Sequence, residues 1–415
     1  VKTRGYQWAT DVTYTARVPI YFVDCMQLSQ DIVILGGGIA GLWLLHRLRA
    51  AGFAAVLIEK SALGDGQTIA SQGMIHGGLK YALGGTLTGA SEAIAGMPAH
   101  WQRCLHGEGD VDLRGTRLLS DTYYLWPRSS VRSRMTAFLG SKLVSSKARA
   151  VADADVPDFF RGHLNGPLYR LHDIVLDVPS LLHTLGEGCR PWIYRADCRL
   201  EHDANGNVSA LVLPDGRRLS AGLFICTSGN GNAAWLDTLQ PIAATMQQRP
   251  LQMVVVKHRM TAPIYVHCVA DNFSATPELT ITSHPCRDGS TAWYLGGELA
   301  ERGATMQPAE LIDATRRKLA AMFPWCDFTN AHFHSFFINR AEASQSDGKR
   351  PDRDSVVSQG NVLYCWPTKL TLAPALAQSV ISAIAARGLQ PAGDNSATID
   401  GLPYPGVAET VWDTL

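Results

Sequence analysis

Three glycines and a carboxylate carry the first chemistry legible in this chain. Gly36, Gly38 and Gly41 form G-x-G-x-x-G directly after the apolar run Ile32-Val33-Ile34-Leu35, and Glu59 follows 23 residues after Gly36. That order suits a dinucleotide. The first glycine permits a tight turn, the second lets a pyrophosphate approach bare backbone, and the third lets helix pack close to strand. Ile39 and Ala40 between the glycines, and Lys60 beside the acid, belong to the same cradle. Glu59 is placed to accept from a free ribose 2′-hydroxyl, which favours FAD or NAD over NADP. A second such motif is missing from the sequence, which disfavours enzymes that hold FAD and NAD(P)H together.

A second group of residues follows. Ser71-Gln72-Gly73 leads into Ile75-His76-Gly77-Gly78-Leu79-Lys80-Tyr81. Small, glycine-rich and hydroxyl-bearing, this passage can lie against a flat ring system and donate backbone N–H groups to it. His76 could serve as a general base for a C–OH or C–NH group, or be a histidine packed in protein. His258, His267 and His284 are alternative bases. Arg340 follows the largely apolar stretch Phe333–Ile338, a setting that argues against simple surface exposure. Lys80 and Lys369 are cations that could face a site or solvent. His332 and His334 alternate without nearby Cys or paired carboxylates, so no metal site is expected.

These residues need elements to hold them. Ile32–Leu35 reads as a strand buried on both faces, Leu42, Leu44, Leu45 and Leu48 as a helix ending near Gly52, and Ala55–Ile58 as the next strand. Asp177 or Ser180 can cap a helix with Pro179 in its first turn. Asn205-Gly206 and Asp215-Gly216 join alternating strands as hairpins. The buried strand Leu223–Cys226 ends at Thr227-Ser228-Gly229. Met135–Val151 reads as helix, while Met253–Val256 and Thr291–Leu295 read as strands; a further helix begins near Ala373, with Pro374 in its first turn. The fold class is α/β, α+β overall, with a Rossmann-like unit.

At this point the chain resembles the D-amino-acid-oxidase-like superfamily of FAD-dependent oxidoreductases, over roughly residues 30 to 390. IHGGLKY is similar to the I-H-G-G-L-R-Y of the FAD-dependent glycerol-3-phosphate dehydrogenases, and the 2-hydroxyglutarate oxidases carry a looser version. Lys369-Leu370-Thr371 is similar to the dehydrogenases' G-G-K-L-T-T, with Pro367 and Thr368 in place of the two glycines. The resemblance implies FAD as cofactor, held also by Ser71, Gln72, Gly73, Thr227, Gly229, Lys369, Leu370 and Thr371. It implies an antiparallel sheet roofing the flavin, with substrate between sheet and ring. It assigns Arg340 to a substrate carboxylate or phosphate and Lys80 to the position of an Arg that contacts substrate phosphate. Lys80 lacks that Arg's bidentate fork. His76 becomes a base, a hydrogen-bond donor to the ring or a covalent tether.

The implied domains are discontinuous. Residues 26–100, 169–247 and 341–390 bind FAD, 101–168 and 248–340 form the substrate domain, 1–25 are an extension of uncertain order and 391–415 a tail. The implied reaction passes hydride from a small anionic hydroxy compound, a polyol phosphate or 2-hydroxy acid, to flavin N5. An amine or amino-acid oxidase or dehydrogenase is the alternative, and an FAD-binding protein without turnover a second one. Oxygen, a quinone or a carrier protein would accept the electrons.

Composition narrows the partners. Lys+Arg and Asp+Glu both total 37, so no net field favours nucleic acid. Nine Cys without C-x-x-C suggest a reducing, cytoplasmic setting. No apolar run reaches the roughly 20 residues of a spanning helix, which limits membrane contact to a peripheral one.

Overall fold

The computed structural model describes residues 27–78, 94–127, 148–237, 245–260, 262–269, 276–393 and 398–415. Strand β1 (Gln27–Leu35) turns at the glycines into helix α1 (Ile39–Ala50), and the chain returns through β2 (Ala55–Glu59). The short β3 (Met74–Ile75) and helix α2 (Met97–Leu105) follow. Then come β4 (Leu118–Ser120), β5 (Tyr123–Pro127), β6 (Ala148–Ala150), β7 (Tyr169–Leu171) and β8 (Ile174–Leu176). Helix α3 (Val178–Gly188) leads to β9 (Ile193–Arg195), β10 (Arg199–His202), β11 (Val208–Val212) and β12 (Arg218–Cys226). The short α4 (Asn232–Leu236) precedes β13 (Met246–His258), β14 (Val266–Val269), β15 (Leu279–Pro285) and β16 (Thr291–Gly296). Helices α5 (Glu298–Gly303) and α6 (Pro308–Met322), strands β17 (His332–Ala343), β18 (Ser355–Gln359) and β19 (Val362–Trp366), and helix α7 (Ala373–Ala386) complete the order.

Five strands, β9-β2-β1-β12-β19, run parallel, and β10-β11 and β18 extend the sheet with antiparallel pairs. Ile32, Val33 and Ile34 are fully buried because both sheet faces are covered. Helix α1 is apolar nearly all round, with Leu42, Trp43, Leu45 and Leu48 inside, since α3 and α7 flank it. Asp177 caps α3 by accepting from the Ser180 N–H at 3.2 Å, as the sequence pattern anticipates.

The second sheet, β17-β13-β16-β15-β14-β5-β7-β6, is antiparallel except where β5 runs parallel to β14. Helix α6 packs Leu311 and Leu319 against it. Strands β13 and β17 pair along twelve consecutive residues, from Met246↔Ala343 to Lys257↔His332, and so run through the expected boundaries at 247 and 340. Of the expected helix Met135–Val151, residues 135–147 lie outside the described ones. Its end, Ala148–Ala150, is strand, because Tyr169–Leu171 offers it a hydrogen-bonding partner.

The segment 398–415 folds back over both halves. Leu63 bridges to Val407, Ile399 is buried, and the Trp412 ring stacks on His284 at 4.5 Å. No helix among the described residues is long and apolar enough to cross a membrane.

Candidate active site

The first turn does what its glycines allow. Gly36 has φ +109°, and a Cβ there would lie 2.6 Å from the Ser228 Cα. A Cβ on Gly41 would come within 2.1 Å of the Gly36 carbonyl oxygen, so this position sets the helix–strand distance. Gly38 differs. A Cβ there would meet only the Thr68 Oγ1, at 3.2 Å, and the residue borders an open crevice. Gly38 is the N-cap of α1 and offers no side-chain cap, and no acid stands in the first turn. The positive end of the helix is therefore left for an external anion. Thr68 accepts the Ile39 N–H at 3.1 Å, and Ile39 and Ala40 are nearly buried. The Glu59 carboxylate accepts the Gly37 N–H at 2.6 Å and the Ser61 N–H at 2.9 Å. It thus ties the strand end to the glycine turn while facing the crevice, beside Lys60.

The crevice has a volume of about 740 Å³ and extends from this turn to Lys369 and Leu370. Thr227 and Gly229 line it at the end of β12. The Thr227 hydroxyl, with one proton to donate, lies between the carbonyls of Leu35 (3.1 Å) and Gly36 (2.9 Å), and Gly229 takes φ +57°. A smaller cavity of about 240 Å³ shares Ser71, Gln72, Met253, Arg340, Lys369 and Leu370 with the crevice. One long slot joins the two.

The glycine-rich passage is pinned between the sheets. Gln72 Nε2 donates to the Tyr294 carbonyl at 2.8 Å, and the Tyr294 hydroxyl donates to the Ala70 carbonyl at 2.6 Å. Gly73, at φ +67°, packs where a Cβ would lie 2.1 Å from the Leu176 carbonyl oxygen. The His76 N–H donates to Thr371 Oγ1 at 3.1 Å, and that hydroxyl donates to the Met74 carbonyl at 3.3 Å. Thr371 therefore spends its side chain on the His76 segment. The His76 ring lines the smaller cavity, its Nδ1 3.3 Å from Asp173 Oδ2. Lys369 follows a tight turn in which its N–H donates to the Pro367 carbonyl at 2.6 Å and Thr368 takes φ +64°. A β-branched residue in that region is strained, and the family's glycine would not be.

Arg340 lies on β17, at the wall shared by both cavities. Its Nε donates to the Arg249 carbonyl at 3.3 Å, and no carboxylate among the described residues lies within ion-pair reach. Arg249 next to it is held by Glu342 through two bonds of 2.7 Å. Burial, with the charges of Arg249 and Arg350, pulls the Arg340 guanidinium down to about 10. Arg350, Lys369 and, among the described residues, a single acid, Glu301, share its cavity.

The other candidates fall elsewhere. Lys80 lies outside the described residues. His258 borders a separate crevice at the far end of β13, and His284 is buried under Trp412; neither lines the slot, and burial holds both down to about 4. His267 is closer, its ring stacked 6.3 Å from that of His76. His332 is exposed near His258. Sequence reasoning missed Asp173, Glu301, Arg350 and the crevice wall at Ala196–Leu200. Asp173 reaches His76 across 97 residues, a distance over which spacing carries no signal.

A family profile described as DAO, FAD dependent oxidoreductase, matches residues 31–382. The chain belongs to this family of FAD-dependent oxidoreductases. It is 44% identical, over 388 residues, to a probable FAD-dependent oxidoreductase of Pseudomonas aeruginosa, covering 93% of this chain and 98% of the relative. The crystal structure of the Pseudomonas aeruginosa FAD-dependent oxidoreductase superposes with a TM-score of 0.81 at 40% identity, covering 94% and 98% of the two chains. Two more distant structures share the fold. Glycine oxidase from Geobacillus kaustophilus gives a TM-score of 0.61 at 15% identity, covering 91% of this chain and 100% of its own. The L-alpha-glycerophosphate oxidase from Mycoplasma pneumoniae, with FAD bound, gives 0.63 at 12%, covering 86% and 95%.

This FAD-dependent oxidoreductase has residues that fit its cofactor. The acid-free first turn of α1 and the open side of Gly38 leave room for a diphosphate at the positive end of the helix. Members of the family take electrons from a small molecule and pass them to an acceptor.

Proposed function

We propose that this enzyme oxidises a small anionic hydroxy compound, a polyol phosphate or 2-hydroxy acid, in the slot between the two sheets. The observation that carries the reading is Arg340: a largely buried guanidinium on the cavity wall, in ion-pair reach of no carboxylate among the described residues, beside Arg350 and Lys369. A buried cation left in that state is stabilised by an anion arriving from solution. When bound, FAD supplies the hydride acceptor. Arg340 binds and orients the substrate's anionic group, and Leu251, Met253 and Leu370 make the apolar part of the wall that excludes water. His76, with Nδ1 toward Asp173, is the group on the cavity wall that would take the hydroxyl proton. Substrate C–OH becomes C=O, one hydride and one proton leaving together.

A second reading, oxidation of an amine or amino acid, is favoured by Glu301. It is the one acid among the described residues lining that cavity, and an ammonium group would pair with it. Anaerobic bleaching of the bound flavin separates the two. Hydroxy acids and polyol phosphates should bleach it, and Arg340→Ala should raise KM for them about 10- to 100-fold. Bleaching by amino acids alone, or an unchanged KM in Arg340→Ala, would remove the hydroxy-anion reading.

A further inference from the structure

We propose that Asp173 is a positioning residue that orients His76 and stabilises its protonated form. The inference rests on the reading of this cavity as the place of substrate oxidation. Its origin is the register of a small sheet. Strand β8 pairs antiparallel with β3, Met74 opposite Val175 and Ile75 opposite Ile174. One step further along the same ladder sets His76 opposite Asp173. Ile174, Val175 and Leu176 are fully buried, so the register is fixed by packing as well as by hydrogen bonds.

Asp173 then uses both carboxylate oxygens. Oδ1 accepts the Gly77 N–H at 2.8 Å, and Oδ2 lies 3.3 Å from His76 Nδ1. The Thr371 hydroxyl accepts the His76 N–H from the other side. The segment is held at two backbone atoms and one ring atom. Asp173 is only 4% exposed and lies behind the ring, whereas His76 borders the cavity. A carboxylate at Nδ1 fixes the tautomer with its proton there and turns Nε2 into the acceptor. It also favours the imidazolium that forms when Nε2 takes a proton.

Among the described residues, His267 of β14 stacks on the His76 ring, Tyr123 packs behind His267, and Arg340, Arg350, Lys369 and Glu301 share the cavity that His76 lines. His267 is engaged through Nδ1 with Thr280 Oγ1 at 3.0 Å. Asp173 is the one carboxylate among the described residues in contact with the ring.

Asp173→Asn tests the idea, because the amide oxygen can still accept the Gly77 N–H while the charge is gone. Two measurements are made on the FAD-loaded enzyme: the His76 titration by NMR of 13C-labelled histidine, assigned with His76→Gln, and the pH dependence of flavin reduction. The expected result in Asp173→Asn is a His76 pKa lower by about one unit or more. Reduction should slow at least about 100-fold with little change in substrate affinity, and Asp173→Glu should recover part of the rate. An unchanged His76 titration and pH profile in a folded Asp173→Asn protein would overturn the proposal and leave Asp173 as a turn clamp. A stoichiometric metal ion lost on changing His76, Asp173 or His267 would overturn it too. If no substrate bleaches the wild-type flavin yet the His76 titration still depends on Asp173, the pairing stands and the reading of the cavity fails.

Discussion

At the scale of single residues, the glycines of the first turn separate cofactor binding from folding. A side chain on Gly38 meets little protein, so Gly38→Val should give a folded protein without bound flavin, seen as loss of visible absorbance with a retained cooperative melt. Gly41→Ala places a methyl 2.1 Å from the Gly36 carbonyl and should lower stability itself, by about 2 kcal/mol or more, whether or not FAD is present. Arg340 shows the opposite balance. Its burial beside Arg249 holds a cation where the fold disfavours one, so Arg340→Met should raise the melting temperature while weakening binding of anionic substrates. A melt lowered by that substitution would show that the bond to the Arg249 carbonyl outweighs the cost of the charge. The glycines were legible because a phosphate cradle is local in sequence. The tie between Glu59 and Gly37 was not, since it depends on how strand end and turn meet in space.

At the scale of elements, helices α1 and α2 are clasped by Asp110. Its carboxylate bonds His100 Nε2 at 2.7 Å and pairs with Arg47, while Trp43 Nε1 donates to it at 3.4 Å. The hydrogen bond to Asp110 pushes His100 up to about 9. Burial alone would raise Asp110, but His100 and Arg47 more than offset it and hold the carboxyl well below its ordinary range. For His100, raised in the fold, the stabilisation is complete below its unfolded value near 6.5 and is lost as pH climbs through about 9. For Asp110, lowered in the fold, it is present above the usual carboxylate range and lost toward strong acid. Thermal melts from pH 6 to 10 should therefore show an alkaline decline that His100→Gln flattens, with an effect of about 1 kcal/mol because the pair is partly solvated. The sequence told more about elements where a signal was covalent and short. Asp177 capping Val178–Gly188 and the hairpins at Asn205-Gly206 and Asp215-Gly216 stand where their residues placed them. Ala148–Ala150 went the other way, since a neighbouring strand's hydrogen bonds outweigh local helical pattern.

At the scale of the whole molecule, the slot is assembled from segments around residues 36, 72, 228, 340 and 370, and family likeness supplied that gathering where spacing could not. The strap 398–415 was legible by neither route, since the resemblance ends near residue 390 and its contacts are distant in sequence. Trp412 sits between His284 and Tyr294, 4.5 Å and 5.4 Å away, and its carbonyl accepts from Lys257 Nζ at 2.9 Å. Trp412→Ala should cost about 3–5 kcal/mol, read as a lower melting temperature of the FAD-loaded enzyme. The paired run of β13 and β17 has a mechanical consequence. Twelve rungs cross from one half of the protein into the other with no break. Both strands make the crossing side by side, so swinging the halves apart would have to bend a hydrogen-bonded ribbon rather than two separate linkers, and a ribbon of that kind resists bending. Thickening the solvent with sucrose should accordingly leave the rate of flavin reduction unchanged.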